Sequence, residues 1–336
     1  MNLIKKRILI TAGEPASISS EITIKAITKL KKESNSELIL ITDPSLIKHE
    51  IKNLNKSAKV NILDKKLNFK DYKNNFINII PIQLNDKTIP GILNKKNSDF
   101  VLKSIKMSVD FLLQKKANAV VTNPINKFIM KSSNFKFNGH TEYLGHLSKF
   151  NKKPIMMLES EKLRVVPLTT HIPISSVSKK LNTKMIIEKI NILNNELINI
   201  YKIKNPKIYI SGLNPHSGDG GKIGKEELTL IYPAIRKLEE LGLNVQGPFP
   251  GDTLFQKNKI KEYDVAVCMY HDQALIPIKT LYSGNVINIT LGLDFIRTSP
   301  DHGTALDIVG KNKADPNSLI LAIKKAEDLI HKKYVK

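Results

Sequence analysis

The chain has 336 residues, 41% of them hydrophobic, one cysteine, and 53 Lys and Arg against 31 Asp and Glu, a formal charge of +22. That length and apolar content suit one large or two ordinary globular domains, and the lone cysteine excludes an intrachain disulfide. The lysines are dispersed among Asn, Leu and Ile, as in Lys29-Leu30-Lys31-Lys32 and Asn94-Lys95-Lys96-Asn97, without the interleaved aromatics of a base-stacking platform. This argues against a nucleic-acid partner and leaves a positive field that steers small anions inward.

In chain order, Lys5-Lys6-Arg7 leads into a short apolar strand, Arg7–Thr11, which Gly13-Glu14-Pro15 ends well short of a signal-peptide core. No run approaches the ~18 uninterrupted apolar residues of a membrane helix, so the expected location is the cytoplasm. A helix is predicted at Glu21–Lys32, a strand at Leu38–Thr42, a helix at Asp99–Gln114, and strands at Ala119–Thr122 and Val165–Thr169. Beyond these come a helix at Lys184–Asn199, a strand at Ile208–Ser211, a helix at Glu226–Leu241, and strands at Val265–Met269 and Val286–Thr290. A last helix, Pro316–Lys332, starts with Asp315 as cap and Pro316 in the first turn. Cys268, within Val265–Met269, reads as buried strand filler in a reducing compartment. Alternating strands and helices without repeats or low-complexity linkers point to an α/β protein with a mainly parallel sheet.

Polar clusters fall at or just after the predicted strand ends: Thr122-Asn123-Pro124, Thr170-His171, Asn214-Pro215-His216, Tyr270-His271-Asp272 and Thr290-Leu291-Gly292. Ligands of open α/β sheets collect at the carboxyl ends of strands, so these clusters are the candidate site. His171, His216 and His271 are neutral donors suited to a divalent metal, although no short ligand signature links them and each alone also reads as structural. Asp272 and Asp252 are candidates to support a metal or move a proton, with a plain turn as the other reading of Asp252.

His140, Thr141, Lys279 and Arg297 suit a phosphate, and Arg297 carries the most weight because arginine is scarce here and its fork grips oxyanions bidentately. The glycine-rich loop Gly212–Gly224 matches neither the phosphate loop of nucleotide hydrolases nor the Rossmann fingerprint. Any nicotinamide cofactor therefore needs another loop. Thr298–Asp307 is the candidate, where Gly303 permits close approach and Asp307 can accept from ribose hydroxyls, with a simple helix-start turn as the alternative.

Together, Thr122-Asn123-Pro124-Ile125-Asn126-Lys127, Gly139-His140-Thr141-Glu142-Tyr143-Leu144, Thr170-His171-Ile172-Pro173, Leu213-Asn214-Pro215-His216, Gly247-Pro248-Phe249-Pro250, Tyr270-His271-Asp272-Gln273 and the run Asn288 to Asp307 closely resemble the 4-hydroxythreonine-4-phosphate dehydrogenases of vitamin B6 biosynthesis. The resemblance covers nearly the whole chain in order.

It implies an α/β fold of the isocitrate/isopropylmalate dehydrogenase type: two α/β domains with a cleft between them, and a homodimer. Residues 1–135 with 287–336 are expected to form the cofactor-side domain, and 136–286 the domain carrying the metal and the dimer contact. His171 and His216 of one subunit with His271 of the other are implied as ligands of one Zn, Mg or Co ion. Substrate contacts are implied at His140, Thr141, Lys279, Asn288 and Arg297, and catalytic carboxylates are expected at Asp252 and Asp272. Gly292, Asp301, His302, Gly303 and Asp307 are the expected NAD or NADP contacts. The implied reaction oxidises 4-phosphohydroxy-L-threonine to a β-keto acid that loses carbon dioxide to give 3-amino-2-oxopropyl phosphate. The alternative is a related dehydrogenase acting on a four-carbon phosphorylated sugar acid, threonate or erythronate 4-phosphate. One departure stands out: where the family has a glycine-rich Gly-Glu-Pro-Ala-Gly-Ile-Gly-type loop, this chain has Ser17, Ser19 and Ser20, which leaves the shape of that loop open.

Overall fold

A computed structural model describes residues 6–31, 33–64, 71–133, 135–137, 139–148 and 153–334. Lys5 of the basic N-terminal run and Lys32 of the first predicted helix lie outside them. The chain divides into two compact units, residues 1–151 with 293–336 and residues 152–292. His140 and Thr141 thus belong to the first unit, and Asn288 and Gly292 to the second.

The first unit holds a parallel sheet in the order β3 (Lys59–Ile62), β4 (Phe76–Pro81), β2 (Ser36–Thr42), β1 (Lys6–Thr11), β5 (Ala119–Val121), β12 (Ile296–Pro300). Ile8, Leu9 and Ile10 are all fully buried, as expected of a central strand covered on both faces. On one face Leu9, Ile39, Ile41 and Val120 pack with Phe100, Val101, Ile105 and Val109 of α3 (Ser98–Leu113), whose apolar positions recur at helical spacing. α11 (Asn317–Tyr334) lies against β12, β5 and β1 and meets α1 (Ser19–Leu30). Asp315 Oδ1 accepts the Asn317 N–H at 2.9 Å, the cap expected for α11.

A buried hydroxyl places the loop after β1. Ser104 Oγ on α3 donates to the Ile41 carbonyl at 2.7 Å and accepts the Ala12 N–H at 2.8 Å, tying the carboxyl ends of β1 and β2 together. β4 escaped the strand pattern because Asn78 sits at its centre. That side chain is fully buried and satisfied, accepting from Asn61 Nδ2 and the Lys73 N–H and donating to the Lys73 and Phe76 carbonyls. α2 (Pro44–Asn53), α4 (Lys127–Ser132) and α5 (His140–Leu147) complete this unit and were too short or too polar to stand out.

The second unit runs β11 (Ile287–Leu291), β6 (Ile155–Glu159), β7 (Arg164–Pro167), β10 (Val265–Cys268), β8 (Ile208–Ser211), β9 (Val245–Phe249). β6 is antiparallel to both neighbours, while β7, β10, β8 and β9 are parallel. α10 (His271–Leu281) packs on β7, β10 and β6, where Ala274 and Ile278 meet Val165, Ala266 and Cys268. α7 (Thr183–Asn199) lies on β6 and β11 and meets α8 (Tyr232–Glu240). α6 (Val177–Lys180) and α9 (Gly251–Leu254) are single turns. Cys268 is fully buried in β10, and burial pushes its thiol up to about 12, so it is inert strand filler as expected.

β9 and α10 were hidden by prolines. Gly247 and Pro248 interrupt the β9 pattern, and the strand accordingly takes the last place in the order. Pro277 lies inside α10, which hides the helical period that starts at His271. Among the described residues no helix is long and apolar enough to cross a membrane.

Candidate functional site

In the first unit polar residues gather where β5 ends beside the start of β12. Arg297 on β12 is buried, and its Nε and Nη2 both donate to Thr122 Oγ1, at 3.1 and 2.7 Å. Burial pushes the Arg297 guanidinium down to about 9. His140, the first residue of α5, points a buried Nε2 that meets no hydrogen-bond partner among the described residues. Burial first, then the charges of Arg297 and Lys127, hold its pKa well below the ordinary histidine value. Lys127 opens α4, where Asn126 Oδ1 caps the Phe128 and Ile129 N–H groups. Burial lowers the Lys127 ammonium too, with Glu142 opposing and Lys131 adding to the shift.

The buried Arg297 and the exposed Lys127 beside a neutral imidazole with an unsatisfied nitrogen form a cradle for an anion, because an incoming oxyanion accepts from that nitrogen and is attracted by both charges. Thr141 is half-buried in the same helix. Thr122 and Lys127 were not singled out as site residues from sequence, although both belong to the Thr122–Lys127 motif. In a chain with 53 Lys and Arg no single lysine carries a signal.

The serine-substituted loop lies in this unit. Gly13 has φ +71°, and a Cβ there would sit 2.5 Å from Ser19 Oγ, 2.7 Å from Asn123 Cβ and 2.8 Å from the Pro124 carbonyl, so only glycine fits. Ser17, Ser19 and Ser20 all have negative φ and are accommodated without strain. Ser17 Oγ donates to the Glu14 carbonyl at 2.6 Å, accepts the Ser19 N–H at 3.1 Å and shares a hydrogen bond with Ser19 Oγ at 2.8 Å. The hydroxyls thus close the loop on itself. The 301–307 segment lies beside it, since the Ile18 N–H reaches the Thr304 carbonyl at 3.4 Å. There Asp301 N–H donates to Ser318 Oγ, His302 Nδ1 meets the Gly303 carbonyl at 3.1 Å, and Asp307 is exposed. The space a Cβ would fill at Gly303 is open, so nothing inside the protein requires glycine there.

In the second unit the three histidines stand at strand ends. His171 follows β7 and His271 opens α10, just beyond β10, with ring centroids 5.8 Å apart. Thr169 holds these strand ends together, its N–H and Oγ1 both donating to the Met269 carbonyl at 3.2 and 2.8 Å. His271 Nδ1 lies 2.6 Å from Asp272 Oδ1, a contact that orients the ring and leaves Nε2 as its other ligating nitrogen. His171 (φ +53°) and His216 (φ +50°) both adopt left-handed backbone, which costs an L-residue roughly 1–2 kcal/mol and marks sites where presentation outweighs backbone ease.

A cavity of about 320 Å³ is lined by Thr170, His171, Tyr270, His271 and Asp272, and a second of about 360 Å³ by Asn214, His216, Asp252, Tyr270 and Gln273. Tyr270 borders both. Gln273, another residue sequence reading passed over, donates to the Gly212 carbonyl at 2.7 Å and accepts from Ser211 Oγ and the Met269 N–H, joining the His216 loop to the His271 helix. Asp252 and Lys279 are exposed, and Asn288 is half-buried on β11. Gly292 has φ +78°, with Ile192 Cγ2 3.1 Å from its Cβ position, so the backbone itself accounts for glycine there. Among the described residues no three His, Cys, Asp or Glu side chains of one chain gather as a metal-ligand group.

Residues 34–326 match the family model described as pyridoxal phosphate biosynthetic protein PdxA. The chain belongs to this family. It is 41% identical over 323 residues to the 4-hydroxythreonine-4-phosphate dehydrogenase of Wigglesworthia glossinidia brevipalpis, covering 96% of each chain. It is also 41% identical over 325 residues to that of a Sulfurihydrogenibium species, covering 95% of this chain and 97% of the relative. Among solved structures, the 4-hydroxythreonine-4-phosphate dehydrogenase of Klebsiella pneumoniae superposes with a TM-score of 0.86 at 32% identity, over 97% of this chain and all of that one. The Burkholderia phymatum enzyme of the same name gives 0.81 at 33%, covering 97% and 99%. A terephthalate 1,2-cis-dihydrodiol dehydrogenase at 22% identity and a TM-score of 0.65 shares the fold.

Proposed function

We propose that this family member oxidises the C3 hydroxyl of 4-phosphohydroxy-L-threonine with NAD or NADP, giving a β-keto acid that decarboxylates to 3-amino-2-oxopropyl phosphate, a step of vitamin B6 biosynthesis. The observation that carries the reading is the buried Arg297 beside the unsatisfied His140 Nε2, with the exposed Lys127 close by, which suits a phosphate monoester in a chain whose relatives bear that substrate in their names.

Arg297 and Lys127 supply the positive charge for the phosphate. The neutral His140 imidazole donates from Nε2, in the tautomer that carries the proton there, to a phosphate oxygen. Thr122 keeps the guanidinium aimed, while Thr141, Lys279 and Asn288 contribute further polar contacts to substrate.

The donor set fits a divalent cation. His171, His216 and His271 are exposed or half-buried imidazoles at strand ends, and Asp272 orients His271. We assign them as ligands drawn from two copies of the chain, His171 and His216 from one and His271 from the other. A Zn, Mg or Co ion held there would supply Lewis acidity toward the substrate hydroxyl, and a nicotinamide cofactor would supply the hydride acceptor. Asp252, which lines the His216 cavity, is assigned to take the hydroxyl proton. The C3–H electron pair would leave as hydride to the cofactor, and loss of carbon dioxide would leave the C2–carboxylate electron pair as an enolate that takes up a proton at C2 to give the amino ketone. Gly292, Asp301, His302, Gly303 and Asp307 are assigned to the cofactor.

The test compares cofactor reduction on 4-phosphohydroxythreonine with that on threonate and erythronate 4-phosphates, before and after chelation. Turnover of the amino acid that chelation abolishes is expected. Preference for a sugar-acid phosphate, or full activity in the metal-stripped protein, overturns the assignment.

A further inference from the structure

The loop that carries His216 is built around one buried carboxylate. Glu227 is 1% exposed. Its Oε1 accepts the N–H groups of Leu213 and Asn214, both at 2.8 Å, and its Oε2 accepts from Asn214 Nδ2 at 2.9 Å. It opens a π-helical turn, Glu227–Ile231, a deviation that recurs where a helix must aim a particular side chain. Two glycines of the loop press against it, for a Cβ on Gly212 would lie 3.1 Å from Oε1 and one on Gly218 2.7 Å from Oε2.

Around this carboxylate the chain makes an unusual turn. His216, Ser217, Gly218, Asp219 and Gly220 are left-handed in succession, with φ of 50°, 52°, 81°, 42° and 65°. Three of the five are L-residues with side chains, for which that geometry is unfavourable, so something outside the turn must hold it. The contacts that converge on its start are chiefly those to Glu227: it holds the backbone N–H groups of Leu213 and Asn214, and it shares the Asn214 side chain with Glu226, whose Oε2 also accepts from Asn214 Nδ2 at 2.9 Å.

We propose that Glu227 is a positioning residue that presets the left-handed turn and so presents His216 before any cation arrives. The inference rests on the assignment of His216 as a metal ligand, but the loop geometry it explains does not. A carboxylate suits the task because it is acceptor-only: three donors meet two oxygens, and no proton of its own intrudes. Glutamine offers the two backbone N–H groups only a neutral, weaker acceptor and turns an NH₂ toward Asn214 Nδ2, so both amides are held less firmly. Aspartate keeps the charge and is one methylene too short to reach.

The experiment uses the full chain, with Glu227→Gln, Glu227→Asp and Glu227→Ala beside the parent. In the metal-free proteins, amide hydrogen exchange is read at Leu213 and Asn214, with circular dichroism and melting as controls of folding. Zn²⁺ binding is then measured by competition with a chelator. Exchange at these two amides should accelerate in all three variants while the fold persists, and Zn²⁺ affinity should fall about 10- to 100-fold. At saturating Zn²⁺ the folded variants should recover most of kcat, a split that loss of general stability does not produce. Should alanine prevent folding, the glutamine and aspartate variants carry the measurement. Parental exchange at Leu213 and Asn214 in folded Glu227→Gln and Glu227→Asp, or parental Zn²⁺ affinity in them, overturns the proposal. His216→Ala separates the two ideas: unchanged Zn²⁺ binding there sinks the metal assignment, while the exchange rates still judge Glu227.

Discussion

Arg297 spends two of its donors on one hydroxyl, Oγ1 of Thr122, so that a threonine at the end of β5 sets the direction of a guanidinium on β12. Rows of the sheet bring together residues 175 positions apart in sequence. The register makes this possible, since Arg297 pairs with Val120 and Thr298 with Val121.

Arg297→Lys is expected to raise KM for the phosphorylated substrate by roughly 10- to 100-fold, since charge-assisted hydrogen bonds contribute about 1.5–3 kcal/mol and a lysine cannot reproduce the planar fork. Thr122→Val, which keeps the volume and removes the acceptor, should raise KM less. Steady-state kinetics checks both, and an unchanged KM in Arg297→Lys would remove Arg297 from the phosphate site.

Stability should fall on acidification through His140. Its folded pKa lies below the unfolded value of about 6.5, so the unfolded state binds the extra proton first. The stabilisation is complete above that unfolded value and is lost as pH drops from there toward the lower folded pKa. Melting temperature recorded against pH should show a steeper acid decline in the parent than in His140→Gln. Parallel curves would mean that His140 titrates normally.

The serine loop gives opposite expectations at neighbouring positions. Gly13→Ala forces a side chain into left-handed backbone against Asn123 and Pro124, and should cost about 2–5 kcal/mol. Ser17→Gly restores the residue usual in the family, yet it should cost about 1–2 kcal/mol through lost hydrogen bonds and a looser unfolded chain. Urea unfolding measures both, and a stabilised Ser17→Gly would show that the hydroxyl network contributes nothing.

Asp272→Asn tests the carboxylate on His271. Weakening this partner should lower Zn²⁺ affinity about 10- to 100-fold with little change in melting of the metal-free protein, because Asp272 is exposed. Equilibrium competition with a chelator reads the effect directly.

Much of this was legible in the residues. The apolar runs of β1, β2, β8 and β10 and the helical spacing of α3 and α7 mark themselves, because burial on two faces or along one stripe demands those side chains. The position of polar clusters at strand ends followed from the same pattern. β4, β9 and α10 were obscured, since Asn78, Gly247-Pro248 and Pro277 break local periodicity and are tolerated only through contacts made elsewhere in the fold.

Residue types and their order along the chain thus determined the α/β class, the family and the candidate imidazoles and cations, for these depend on local chemistry and motif. Only the tertiary structure decided that Thr122 and Lys127 join His140 and Arg297, that Ser17 and Ser19 close their own loop, and that Glu227 lies beneath the His216 turn. Those relationships arise from strand order, register and burial, which bring distant residues within hydrogen-bond reach and leave no trace in the spacing of the sequence.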